Sequence, residues 1–164
     1  MHSIRIFPLA IASFALAGFA QAADLSKTDK DFMIKAAGGG VFEVAQGKLV
    51  ESKGSNQATK SFGTMLQQDH AAGNDELKSI ADKKGVTLPT DIPSDKQKIL
   101  DKLAGSKNFD RDFGKAAVKD HKEDIKDFEK ESKKGKYPDV KAFAAKTLPT
   151  LRKHLEHAEM VAKK

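Results

Sequence analysis

The chain has 164 residues, 29 Lys+Arg against 23 Asp+Glu, a net charge of +6 and no cysteine. Disulfides and thiolate chemistry are thereby excluded, and stability has to come from packing. The lysines sit among acids, there is no arginine cluster, and one Tyr with no Trp leaves nothing to interleave with bases, which argues against a nucleic-acid partner.

Met1–Arg5 is a short basic start, Ile6–Phe19 an apolar run, and Ala20-Gln21-Ala22 a small-x-small pattern. Together they predict a cleaved secretory signal over residues 1–22. The run is short for a membrane span, so the mature part, residues 23–164, is not expected to be transmembrane. That part is long enough for a real core, and loss of Arg5 removes only a single positive charge from it. No Cys follows the run to carry a lipid. These features predict a periplasmic protein. Its lysine-rich faces suit peripheral contact with anionic envelope surfaces.

Helix punctuation is plentiful beyond that point. The first helix is expected to open near Ser26–Thr28, where a hydroxyl can cap and Asp29 and Asp31 favour the positive end. It should close at Ser52-Lys53-Gly54, with Gly54 as a C′ glycine. The second should run from Ser55-Asn56 to Lys83-Lys84-Gly85. A two-proline connector follows, holding Pro89 and Pro93. Ser94 with Gln97 reads as a capping box for a short helix ending at Gly105. A long helix should then run from Ser106–Asn108 to Lys133-Lys134-Gly135. The last should begin after Tyr137 with Pro138 in its first turn, and Pro149 should kink it or start it afresh.

The two halves resemble each other. Phe32 and Phe113, Phe62 and Phe143, Gly54 and Gly135, and Glu43 and Asp124 are all separated by the same offset in sequence. The expectation is an all-α fold: two helical hairpins forming a four-helix up-down bundle, with the short extra helix in the crossover connection.

Helical wheels place polar residues on or beside the apolar faces. Glu43 lies mid-face on the first helix between Gly40 and Gly47. Asp69 and His70 flank the face of the second. His121 and Asp124 form an i,i+3 pair within the face of the third long helix. His154 lies toward one edge of the last, and His157 points away. A buried lone carboxylate costs several kcal/mol unless paired or ligated. The predicted site is therefore a divalent-metal centre of Glu43, His70, His121, Asp124 and His154, with Asp69 and Asp120 flanking. The competing reading is a structural network of neutral imidazoles bonded to Glu43 and Asp124. Such couples predict a metal-free stability that falls as the carboxylates protonate in acid. His154 with His157 offers a weak surface HxxH. Gly38-Gly39-Gly40 reads as close helix packing, since no strand precedes it to make a phosphate loop. No catalytic motif is complete.

Several segments carry a family resemblance. Asp31-Phe32, Lys35-Ala36-Ala37-Gly38-Gly39 and Glu43-Val44 come first. Asp69-His70, Asn74-Asp75-Glu76-Leu77-Lys78 and Lys84-Gly85-Val86-Thr87-Leu88-Pro89 follow. Asp120-His121, Lys141-Ala142-Phe143-Ala144, Thr147-Leu148-Pro149-Thr150-Leu151 and His154-Leu155 complete the order. The chain resembles the bacterial DUF4142 family over about residues 28–160. The resemblance implies a ferritin-like fold and export, and some members are labelled putative outer-membrane proteins, which implies an outer-membrane association. It implies no established activity. Ferritin-like carboxylate sites use a Glu on two helices and Glu-x-x-His on the other two. Here Asp69 and His70 are adjacent, and Leu151 stands three before His154. The residue types therefore favour a histidine-richer site for one divalent ion, zinc or iron. The alternative function is a non-catalytic envelope stress or interaction protein.

Overall fold

The computed structural model describes residues 25–163. The signal segment expected over residues 1–22 lies outside them. The described residues form five helices and no strand: α1 (Lys27–Lys53), α2 (Gln57–Asp82), α3 (Ser94–Ala104), α4 (Phe109–Lys134) and α5 (Pro138–Ala162). None of these helices is long and apolar enough to cross a membrane.

Local chemistry sets most boundaries. Ser26 caps α1 by accepting from the Asp29 N–H, and the Asp29 carboxylate accepts the Ser26 N–H in return. Asn56 caps α2 through the Thr59 N–H. After α2, Gly85 takes a left-handed φ of +63° while the Val86 N–H reaches back to the Ala81 carbonyl. This is a glycine-dependent helix stop closed by an apolar residue. Gly54 and Gly135 work differently from the expected left-handed stop. Their φ values are −54° and −56°. Glycine is needed there for space: a Cβ at Gly54 would come within 2.8 Å of the Val50 carbonyl, and one at Gly135 within 2.4 Å of Glu131 Oε1.

Two further expectations are corrected. Pro93 takes the N-cap position of α3, so Ser94 enters the first turn and its side chain caps nothing. The α5 helix does not start afresh at Pro149 but continues through it. Its flanks are fixed by burial of Leu148 and Leu151, so packing outweighs the one hydrogen bond that proline removes.

The helices pair as two hairpins, α1 with α2 and α4 with α5; α2 also packs on α5, α1 on α4, and α3 on both α1 and α4. Two aspartates fix the relative direction of the hairpins. Asp29, at the start of α1, accepts the N–H groups of Lys136 and Tyr137 in the α4–α5 turn, at 3.0 and 3.1 Å. Asp110, at the start of α4, accepts the Ser55 N–H and the Ser55 and Thr59 hydroxyls around the α1–α2 turn. The two turns therefore lie at opposite ends, and the connector with α3 crosses the full length between them. Asp29 and Asp110 are themselves related by the offset that relates Glu43 to Asp124, so the internal repeat is a structural duplication.

The apolar core divides in two. One cluster gathers Met33, Leu77, Phe128, Val140, Phe143 and Leu151. The other gathers Val50, Phe62, Leu66, Phe113, Ala117 and Ala158. On each long helix the polar residues singled out above lie between its contributions to the two clusters. Close backbone approach holds α1 to α2, because a Cβ on Gly47 would stand 2.5 Å from the Gly63 carbonyl. Gly40 packs on the Asn74 side chain and Gly38 on Pro93, whereas Gly39 has open space beside it and is not a packing residue.

Asp29 is fully buried and Asp110 is only partly so. Burial pushes the Asp29 carboxyl up, but the Lys136 N–H, the Ser26 hydroxyl and the other donors around it hold it below the ordinary value, so it stays charged. Replacing Asp29 by Ala strands several buried donors. The expected loss is about 3 kcal/mol of unfolding free energy, against about 1 kcal/mol for Asp110→Ala. Urea unfolding of the two variants checks this. Equal losses would show that burial of the cap does not matter.

Candidate metal centre

The polar residues converge at mid-length between the two apolar clusters. Glu43 of α1 is the hub. Its Oε2 lies 3.0 Å from His70 Nδ1 of α2, and its Oε1 lies 3.3 Å from His121 Nε2 of α4, without hydrogen-bond geometry in the latter case. His154 of α5 completes the ring of imidazoles, with ring centres 5.1 Å from His70 and 5.3 Å from His121. The three histidines offer ligand atoms within 4.8 Å of one another. His121 and His154 are fully buried, and the His70 side chain is 11% exposed. The wheel reading that put His154 at an edge, and the surface HxxH reading, are both corrected: His154 is interior, while His157 stacks on Phe62 at 5.5 Å.

Each imidazole has one nitrogen held and one left over. The His121 Nδ1–H donates to the Ala117 carbonyl at 3.0 Å. The His154 Nε2 lies 2.8 Å from Asp69 Oδ2, and Asp69 itself is partly exposed. His70 Nδ1 faces Glu43. The remaining nitrogens, His70 Nε2, His121 Nε2 and His154 Nδ1, are buried and have no hydrogen-bond partner. Such outer contacts fix tautomer and ring direction in metal sites, where the ligating His donates its other N–H to a carboxylate or carbonyl.

Asp124 groups with the carboxylates rather than with the histidines. It joins Glu43 and Asp120 in a carboxylate group whose oxygens lie within 4.8 Å of one another. The expected single set of five thus separates into an imidazole side and a carboxylate side that share Glu43. The alternative network is also corrected in detail: the histidines bond to Glu43, Asp69 and the Ala117 carbonyl rather than to Asp124. A cavity of about 40 Å³ lies beside Glu43, His70 and Asp124 under Gly40 and Gly73. That is room for a water molecule.

Lys96 is the participant that the sequence reading missed. It reaches from α3 to pair with Asp120, and its ammonium lies 5.0 Å from the centre of the Phe42 ring. Burial lowers its pKa, but the Asp120 hydrogen bond and charge more than reverse this, so it remains a cation. Its signal was faint: Lys96, Leu100 and Leu103 share one face of the short helix, and both leucines are buried.

Protonation follows from burial. Desolvation pushes the Glu43 carboxyl up to about 8, with Asp120 adding to the rise while His121 and Lys96 oppose it. Desolvation, then the charges of Glu43 and Asp120, push Asp124 up to about 9. Burial and the neighbouring Asp29 push Glu131 up to about 7. Desolvation brings His70 and His154 down to about 4, and lowers His121 as well. Near neutral pH the ion-free site holds neutral imidazoles, and Glu43 and Asp124 are largely protonated.

For the carboxyls this reverses the acid-lability expected from the sequence. A raised carboxyl pKa favours the folded state at low pH, and its contribution is lost as pH rises through the native value. The lowered histidines act oppositely, since their contribution is present above 6.5 and lost as pH falls toward 4. The two trends oppose each other below pH 6.5, and only the carboxyls act above it. The metal-free protein should therefore lose stability from about pH 6.5 to about pH 9, and Glu43→Gln should flatten part of that slope. Urea midpoints measured across this range in chelator decide it; a midpoint that rises with pH would contradict the assignment.

No curated protein matches the chain. Its fold is similar to the crystal structure of a DUF305 fragment from Deinococcus radiodurans, with a TM-score of 0.74 and 11% identity over 85% of this chain and 98% of that one. At that identity the likeness is one of fold alone. Residues 15–161 match the family described as Domain of unknown function (DUF4142), and the chain belongs to that family.

Proposed function

We propose that the protein is an exported, ferritin-like four-helix up-down bundle that binds one divalent transition-metal ion, zinc or iron(II), in its interior. His70 Nε2, His121 Nε2 and His154 Nδ1 are the nitrogen ligands; Glu43, which holds His70 Nδ1, orients that ring, and water takes the fourth position. The reading is carried by those three nitrogens: each is buried, each lacks a partner, and each belongs to a ring whose other nitrogen is already held. Three imidazoles with an open fourth position suit zinc or iron(II), and the absence of Cys removes the softest ligand type. Tetrahedral zinc requires N···N separations of ~3.4 Å, closer than the 4.8 Å within which the histidines offer ligand atoms, so the rings draw together as the ion binds.

The site favours holding an ion over oxidising with it. It lacks the two Glu-x-x-His pairs of carboxylate-bridged di-iron centres, and its cavity admits little more than water. Metal sequestration or buffering in the periplasm is the activity that fits, with the apolar run at Ile6–Phe19 and Ala20-Gln21-Ala22 as the export signal. The lysine-rich exterior suits peripheral contact with the anionic envelope, including the outer membrane. A second reading, a non-catalytic envelope stress or interaction protein, draws on the contacts that each histidine makes without an ion, to Glu43, Asp69 and the Ala117 carbonyl.

Calorimetric titration of mature protein with Zn(II) should give one ion per chain. Zn(II) at about 100 times its Kd should raise the unfolding free energy by about 2.7 kcal/mol. Asp69→Asn, which disturbs only the orientation of His154, should weaken binding about 10- to 100-fold. No stoichiometric binding, together with a melting temperature indifferent to Zn(II) and chelator, would favour the structural network instead.

A further inference from the structure

The ion proposed above accounts for the imidazole nitrogens and leaves the carboxylate side unexplained. Glu43, Asp120 and Asp124 bring oxygens within 4.8 Å of one another. Glu43 and Asp120 are both more than nine-tenths buried, and Glu43 Oε1 and Asp120 Oδ2 have no hydrogen-bond partner. Three carboxyls this close cannot all ionise without a cation among them. The chain brings one of its own. Lys96 pairs with the other Asp120 oxygen, Oδ1, and its ammonium lies over the Phe42 ring. Leu100 and Leu103, one and two turns further on, are buried and anchor the helix that carries it.

We infer that Glu43, Asp120 and Asp124 form a second, all-oxygen cation site adjoining the histidines through Glu43, and that the Lys96 ammonium occupies it in place of a hard divalent cation. Carboxylate-only sites select Mn(II), Mg(II) or Ca(II) over softer ions. A single ammonium supplies one charge and leaves two acceptor atoms unsatisfied, which a divalent ion with water ligands would satisfy. The lysine has somewhere to go: its side chain is 21% exposed, and it borders an open groove of about 680 Å³ between α3 and α4 that Asp120 also lines. One residue of the crossover helix thus decides whether the interior accepts one ion or two. The site shares Glu43 with the histidine reading but does not need the histidines to be loaded.

The probe is Mn(II), with free ion followed by electron paramagnetic resonance. Lys96→Met should bind Mn(II) at least about tenfold more tightly than the unaltered chain, a gain of about 1.4 kcal/mol. Lys96→Gln serves if the Met variant folds poorly. The gain should persist in a His70→Gln, His154→Gln background, which disables the histidine site, and should vanish with Asp124→Asn. In Zn(II)-loaded Lys96→Met, native mass spectrometry should count two ions per chain. Equal Mn(II) affinity with and without Lys96, or a gain that survives Asp124→Asn, would overturn the inference while leaving the histidine reading untouched. Loss of Zn(II) binding throughout, with the Mn(II) gain intact, would do the reverse.

Discussion

Glu43 stands in the interior of an all-helical fold, within reach of imidazoles from two other helices, and at its depth almost no water is available to solvate a charge. A carboxyl so placed must be protonated, paired or ligated. The other features follow from that constraint. The histidines respond by staying neutral, and each fixes one nitrogen on an outer acceptor. The apolar core is split into two clusters with the polar belt between them. The crossover helix lends its one inward lysine to the acidic side. Glycines at positions 47 and 63 then let α1 and α2 approach closely beside it.

The duplication explains why the site is lopsided. The two hairpins repeat their turns, their capping aspartates and their central acids, Glu43 and Asp124. The histidines are not repeated. The positions that the same offset relates to His121, His154 and His70 are Gly40, Gly73 and Leu151. At each of these paired positions one half carries imidazole and the other a small or apolar residue, two of the histidines lying in the second hairpin and one in the first. Gly40 is filled by Asn74, and Gly73 faces open space beside the small cavity. A symmetric frame has produced a nitrogen-rich side and an oxygen-rich side, which suit different cations.

Much of this was legible in the residues. Ser26, Asn56, Gly85 and Pro138 mark helix ends through local hydrogen bonding and φ, which sequence carries directly. The five ligand candidates stand on or beside apolar faces because a wheel registers burial. What a wheel cannot register is partnership across helices. It could not separate Asp124 from the histidines, nor send His154 to Asp69, because these depend on how four helices rotate against one another. It misjudged the pH response because desolvation at Glu43 and Asp124 outweighs their pairing, and depth is a tertiary quantity. The Ser94 cap failed because Pro93 already had the extended backbone that an N-cap needs. Lys96 was hidden among 29 Lys and Arg residues, with only its alignment on Leu100 and Leu103 to distinguish it.

The central claim is that three buried imidazole nitrogens are poised for one ion. X-ray absorption at the zinc edge of the singly loaded mature protein addresses it most directly. The account predicts a shell of three imidazole nitrogens and one water oxygen at ~2.0–2.2 Å, with the imidazole scattering lost stepwise in His121→Asn and His154→Asn. An all-oxygen shell, or a spectrum unchanged by those substitutions, would contradict it.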